Sequence, residues 1–152
     1  MAVCTFFGHR YAHLTDEERS QLTSIIVKLI KDKDVDQFWL GAKGEFDSAC
    51  RTLLSEIKED FPNIKICLVL SYIPTNKEDY EWKEKYYDHI FLPDGVEEGP
   101  QRFAISRRNW WMALNCDYMI CYVRHEYGGA YSAMKVALAN KKEVINIAPQ
   151  HN

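Results

Sequence analysis

Three short stretches carry residue types that suit the grip of an anion. The first is Gly8-His9-Arg10, the second runs Gly41-Ala42-Lys43-Gly44-Glu45-Phe46-Asp47, and the third runs from Arg124 through His125, Glu126, Tyr127, Gly128, Gly129, Ala130 and Tyr131 to Ser132. Ser71-Tyr72 and Arg108-Asn109 add polar groups elsewhere. Glycine lets a backbone come close to a phosphate. A helix N-terminus offers unpaired N–H groups and the positive end of a dipole. Arginine adds charge-assisted, often forked hydrogen bonds, and Ser132 could add a hydroxyl. Each piece has a plainer reading. Gly128-Gly129 could be an ordinary turn, His9-Arg10 a solvated one, Glu45 an acid favoured in a helix first turn, and Arg107-Arg108-Asn109 a polar helix face. Their common feature is position, because each loop directly follows an apolar run or opens a helix.

The elements that must position these loops alternate along the chain. Val3–Phe7, Asp36–Leu40, Ile64–Leu70, His89–Leu92, Tyr118–Val123 and Val144–Ile147 read as strands, and the run at 64–70 is continuous enough for a strand buried on both faces. Thr15 followed by Glu18 is a capping box. It opens a helix whose Leu22, Ile25, Ile26, Leu29 and Ile30 recur at helical spacing, with Lys28, Lys31 and Lys33 near its end. Ala49, Leu53, Leu54 and Ile57 mark a second helix that stops before Pro62. Further helices are expected at 76–87, at 103–115 and from Gly128-Gly129 through Ala139. Strand and helix in strict alternation predict a Rossmann-like three-layer α/β fold, with a mostly parallel central sheet and helices on both faces. In such a fold the ligand crevice lies beyond the carboxyl ends of the strands, which is where the loops fall. The aromatic residues Tyr80, Trp82, Tyr86 and Tyr87 fit either a pocket or an oligomer interface, and Trp110-Trp111 fits the core better than a stacking platform.

The 152 residues suit one domain, 1–152, with enough core to fold without metal or disulfide. The net charge of -3 and the isoelectric point near 5.9 give no global attraction to polyanions. They argue against nucleic acid as a partner, although a local basic patch is compatible with them. Cys4, Cys50, Cys67, Cys116 and Cys121 are odd in number and scattered, with no zinc spacing, so no metal site is expected and a reducing, cytoplasmic location is. No apolar run is long enough to span a membrane, and a strand-like start argues against a signal peptide.

Taken in order, these pieces resemble the SLOG superfamily, the relatives of DprA/Smf and LOG proteins, and especially its small YpsA-like branch. The resemblance rests on TFFGHR at 5–10, GAKGEFD at 41–47, the stretch from Arg108-Asn109 through Met112 and Asp117 to Gly128-Gly129, and the ending Lys142-Glu143-Val144-Ile145-Asn146. It implies a domain that binds a nucleotide or nucleotide-derived phosphate ligand, as sensor or sequestering module, without a further cofactor, in a homodimer or higher homo-oligomer. Two alternatives come with it. One is a nucleotide N-glycosidase of the LOG kind, with Asp47, Glu126 and Arg108 as catalytic candidates. The other is a nucleic-acid-binding protein. The LOG motif PGGxGTxxE is matched at Gly128, Gly129 and Ser132, but Tyr131 stands at its third glycine and Lys135 at its glutamate. A lysine cannot supply the carboxylate that a developing sugar cation requires.

Overall fold

The structure is a computed structural model, and it describes residues 1–149. The last three residues of the expected domain 1–152 lie outside the described residues. Six strands and five α-helices alternate as expected. The strands are β1 (Ala2–Gly8), β2 (Val35–Leu40), β3 (Lys65–Val69), β4 (His89–Phe91), β5 (Tyr118–Tyr122) and β6 (Glu143–Asn146). The helices are α1 (Asp16–Lys33), α2 (Gly44–Asp60), α3 (Lys77–Tyr86), α4 (Ala104–Asn115) and α5 (Gly129–Ala139), with a single 3-10 turn at Gln101–Phe103 ahead of α4.

All strand pairs are parallel, in the order β4-β3-β2-β1-β5-β6. The chain therefore winds outward from β1 to β4, then crosses back over β1 to lay down β5 and β6. The carboxyl ends of β1 and β5 form the point where the winding reverses. Right-handed crossovers make this reversal place the two sets of helices on opposite faces.

The sheet core follows the two-residue period of a strand. Cys4, Phe6, Phe38, Leu40, Ile66, Leu68, Ile120 and Tyr122 point to one face, where they meet Leu22, Ile26 and Leu29 of α1 and Phe46, Cys50, Leu53 and Leu54 of α2. Phe7, Trp39, Cys67, Val69, Met119 and Cys121 point to the other, against Met112 and Ala113 of α4 and Ala130, Ala133 and Ala137 of α5. The fully buried residues of α5 are all alanines, with Tyr131, Met134 and Val136 packed partly buried beside them. Trp111 stacks on Trp39 at 4.9 Å between ring centroids, while Trp110 faces outward, so the Trp-Trp pair is split between core and surface. All five cysteines are buried and unpaired, and burial pushes the Cys67 thiol up to about 12 and that of Cys116 to about 11.

Local signals end the helices where the sequence says. The Thr15 side chain accepts from the Glu18 N–H at 3.1 Å, and the Glu18 carboxylate accepts from the Thr15 N–H at 2.9 Å. Asn76 caps α3 by accepting from the N–H groups of Glu78 and Asp79. Helix α3 buries none of its residues. It is tied to α2 by the Arg51 guanidinium, which lies 4.6 Å from the Tyr86 ring centroid and 5.8 Å from that of Trp82. Tyr87 is buried in the core, so the aromatic cluster around α3 divides between helix packing and core. Among the described residues, no helix is long and apolar enough to cross a membrane.

Candidate functional site

The loops that leave β1, β2 and β5 enclose a cavity of about 740 Å³ at the point where the winding reverses. That volume lies in the range of small-ligand sites, which run from roughly 300 to 1,000 Å³. Gly8, His9 and Arg10 come from the first loop, Gly41, Gly44 and Asp47 from the second, and Gly128, Gly129 and Ala130 from the third. Arg108 and Asn109 reach in from α4.

The second loop is held in a strained shape by two buried side chains. Ala42 sits at φ 59°, in the left-handed region that costs a non-glycine residue about 1 kcal/mol or more. From one side the Asp47 carboxylate accepts the N–H groups of Gly41 at 3.0 Å and Lys43 at 3.2 Å through the same oxygen. From the other, Arg108 Nη1 donates to the Gly41 carbonyl at 2.9 Å. A Cβ at position 41 would lie 2.9 Å from the Arg108 Cζ, so a side chain there would push the guanidinium aside. Gly44, at φ 91°, passes close to the Arg10 backbone, and the Glu45 N–H donates to the Arg10 carbonyl at 2.9 Å, which joins the first loop to the second.

Arg108 is fixed as well as buried. Its Nε and Nη2 fork onto the Asn109 Oδ1 at 3.2 and 3.0 Å. Burial lowers its pKa, opposed by the neighbouring Asp47. An arginine remains charged at any physiological pH, so the cavity has a permanent, immobile cation. Asp47 is the carboxylate of the lining, and burial pushes it up to about 6 against the pull of the backbone N–H groups and Arg108. Proton uptake by Asp47 near neutrality would leave the cavity more positive.

Two helix N-termini open here. Neither the Lys43 cap of α2 nor the Gly128 cap of α5 contributes a side-chain hydrogen bond, but at α2 the Asp47 carboxylate accepts the Lys43 N–H and the Arg10 carbonyl accepts the Glu45 N–H, whereas the first turn of α5 carries no acidic residue. Gly128 has φ 93° with open space where a Cβ would be. The preceding loop is braced from β6, where the Asn146 side chain bonds both the N–H and the carbonyl of Val123, at 3.0 and 2.9 Å.

One wall is aromatic. His9, His125 and Tyr127 form a continuous stack, with centroids 3.5 and 3.7 Å apart and 14° between successive planes. The His9 Nε2 accepts from the N–H groups of Arg124 at 2.7 Å and His125 at 3.4 Å. A nitrogen that accepts holds no proton, so His9 is a neutral ring protonated on Nδ1. Its pKa is lowered by burial, His125 and Arg124. Tyr127 ends the stack and is 69% exposed.

The sequence expectations separate at this point. Eleven expected residues meet at the cavity: Gly8, His9, Arg10, Gly41, Gly44, Asp47, Arg108, Asn109, Gly128, Gly129 and Ala130. Ser71 is buried in an adjacent hollow of about 40 Å³, behind the wall made by the Gly41–Lys43 loop and Arg108. Arg124 contributes its backbone to His9, while its side chain is engaged with Tyr122. Tyr131, Ser132 and Glu126 fall outside the lining. Ser132 instead closes the first turn of α5 through its N–H to the Gly128 carbonyl at 3.0 Å. Lys135 lies over the Tyr131 ring at 5.9 Å, away from the cavity. Sequence reasoning did not name Tyr11 or Ile105, and it named Lys43, His125 and Tyr127 only as members of their loops, without foreseeing the ring stack. An aromatic or basic residue beside a named loop glycine was the signal available. Among the described residues, no group of three or more His, Cys, Asp or Glu side chains could hold a metal ion.

The fold is the doubly wound, Rossmann-like α/β class, with its cavity at the reversal of the sheet. No family model matches the chain, and no curated protein does. Solved structures do. DNA processing protein A (DprA) from Streptococcus pneumoniae superposes with a TM-score of 0.65 at 16% identity, over 94% of this chain and 49% of that one. DNA processing protein A from Helicobacter pylori, a structure described for its single-stranded DNA binding mode, superposes with a TM-score of 0.62 at 14% identity, over 94% of this chain and 63% of that one. The chain thus spans about half to two-thirds of the neighbours' length, and the likeness is one of fold. DprA proteins belong to the SLOG group that the loops resemble. The comparison corrects one expectation. Net charge was read as an argument against nucleic acid, yet a protein of this same fold is described by its binding of single-stranded DNA. The chain's total charge is no guide to the cavity, which Arg10, Lys43 and Arg108 line with one acid, Asp47, among them.

Proposed function

We propose that the sheet rim binds single-stranded nucleic acid, with one nucleotide seated in the cavity at the β1–β5 reversal. The observation that carries this reading is the N-terminus of α5, with neither a side-chain cap nor an acid in its first turn, opening on a cavity that also holds the fixed Arg108 guanidinium and the exposed Arg10. A phosphate fits such a place, since backbone N–H groups and dipole ends favour it and the arginines supply its counter-charge. The exposed face of Tyr127, at the end of a rigid ring stack, offers a base a surface worth about 1–3 kcal/mol. The described binding mode of the Helicobacter pylori neighbour supports the same choice of partner.

A second reading keeps the cavity and changes the ligand: a free nucleotide or nucleotide-derived phosphate, sensed or sequestered, as in the YpsA-like branch. The size of the cavity favours it. Turnover is the least supported use, because Asp47 spends an oxygen on two loop N–H groups and Glu126 stands outside the lining.

Fluorescence anisotropy with labelled oligothymidylate across a salt series tests the first reading. Affinity should fall with log salt at about 0.7 log units per phosphate neutralised, and Arg10→Ala should reduce that slope by about one such step. Absence of binding at low salt by folded protein would remove it. Calorimetry with nucleoside monophosphates decides whether the free nucleotide is the better ligand.

A further inference from the structure

A second groove, of about 650 Å³, adjoins the cavity on the far side of the Arg10–Tyr11 ridge. The two share Arg10, Tyr11 and Gly44, so a chain leaving one passes directly into the other. The groove runs between the β1–α1 loop and the first turns of α2, and it is lined by His13, Arg19, Ser48 and Thr52 together with that ridge.

Its chemistry is that of a backbone track. Neither the Arg10 nor the Arg19 side chain enters an ion pair among the described residues, so both guanidinium groups are available to an outside anion. Thr52 Oγ1 donates to the Ser48 carbonyl at 3.0 Å, which leaves its lone pairs, and the Ser48 hydroxyl, facing the groove. Glu45 is the acid of the lining, and its Oε2 accepts the Ala12 N–H at 2.8 Å, so this carboxylate braces the loop. Tyr11 on the ridge is 78% exposed, with Arg10 at 5.8 Å from its ring centroid. An exposed ring beside an arginine, between two basic hollows, is the pattern on which successive bases stack while the backbone follows the charge. Beyond Arg19 the surface turns acidic, with Asp16 lining the next hollow and Glu17 beside it in the first turn of α1. The favourable path therefore stops at Arg19.

Resting on the reading of the cavity as a nucleotide seat, we infer that this groove is a second subsite for single-stranded nucleic acid. The strand crosses the Arg10–Tyr11 ridge and leaves its next phosphate on Arg19, with Tyr11 stacked by a base.

The test compares oligothymidylates of increasing length, from the dinucleotide upward, by anisotropy across a salt series, with wild-type protein, Arg19→Ala and Ser48→Glu. For strands long enough to reach Arg19, Arg19→Ala should flatten the log–log salt slope by about 0.7 and weaken binding several-fold at low salt. Ser48→Glu, an exposed helix position that accepts glutamate without disturbing the core, should weaken the same strands about tenfold. Both variants should bind the dinucleotide as wild type does. Long strands bound by both variants with wild-type affinity and slope would overturn the second subsite while leaving the cavity reading intact. Wild-type protein that binds no strand at low salt would overturn the cavity reading, and the subsite with it.

Discussion

Replacing Asp47 by asparagine separates what the carboxylate does for the loop from what its charge costs the protein. The group is buried in the folded chain and its pKa is pushed from 3.8 to about 6. The folded state therefore holds a proton more tightly than the unfolded state. Stability from this group is greatest below pH 4, falls as pH rises between 4 and 6, and levels off above that. A rise of about two units corresponds to about 3 kcal/mol, at 1.36 kcal/mol per unit. Burial removes most solvent screening, so the figure needs no large discount. Asparagine keeps an oxygen that can accept the Gly41 and Lys43 N–H groups, and it does not titrate in this range. The assay is urea unfolding of both proteins from pH 4 to pH 7.5. The difference in unfolding free energy, variant minus wild type, should grow with pH by about 3 kcal/mol and become constant above pH 6. Asp88, whose pKa is lowered because its backbone hydrogen bond to Ile66 and its pairing with Lys58 outweigh burial, gives the opposite trend in both proteins and cancels in the difference. A difference that stays flat across the range would refute the burial argument. The same variant should bind oligothymidylate more tightly than wild type at pH 7.5 and about equally at pH 5, because a phosphate entering the cavity no longer meets an ionised carboxylate.

Gly41→Ala should leave the fold intact but lose about 1–3 kcal/mol in urea unfolding and most oligonucleotide affinity, because the new Cβ forces the Arg108 guanidinium off the loop. Thr15→Ala should cost about 1 kcal/mol in the same unfolding assay with no effect on binding, since the capping box lies outside both hollows. His9 is neutral in the fold and its pKa is lowered, so protonation favours the unfolded chain and stability from this ring is lost as pH falls below its ordinary value near 6.5. Protein NMR of the imidazole should show His9 titrating below the ordinary value near 6.5, with Nδ1 carrying the proton at neutral pH.

The order of elements was legible because each rule involved is local. Continuous apolar runs at 64–70 and 118–123 marked buried parallel strands, and Thr15 with Glu18 marked the start of α1. Boundaries differ by a residue or two, as with α4, whose first turn at Gln101–Phe103 tightens into a 3-10 turn before the helix proper. The lining of the candidate cavity was legible where position alone decides it, at the residues that directly follow β1, β2 and β5. It was not legible where a side chain's direction decides. Ser132 and Lys135 lie only three residues apart on α5, and the helix turns both away from the cavity that Gly129 and Ala130 line. Ser71 follows a strand as the other loops do, yet β3 lies two strands from the reversal, and Arg108 closes the way between. Nor could spacing show that Arg108, read as a ligand, spends three of its N–H groups holding Gly41 and Asn109.

The one inference from composition that failed did so for a reason that generalises. A net charge of -3 sums acids and bases over a whole surface, whereas a phosphate feels charges within about a Debye length, near 8 Å at physiological salt. At the rim the relevant groups are Arg10, Lys43 and Arg108 around Asp47 in the cavity, and Arg10, His13 and Arg19 around Glu45 in the groove. Both acids are committed to backbone N–H groups, so each braces a loop while it offsets part of the positive charge. Much of the remaining acid sits in helix first turns, at Asp16, Glu17 and Glu18 of α1 and Glu78 and Asp79 of α3, where the dipole stabilises it. Helix stability and anion binding thus draw on the same N-terminal dipoles. In this chain they differ by helix: α1 and α3 carry side-chain caps and acids in their first turns, α2 lacks a cap but holds Glu45 and Asp47 in its first turn, and α5 has neither at its Gly128 end beside the cavity. That difference, more than any total, is what supports the proposed reading of the β1–β5 reversal as a seat for an anion.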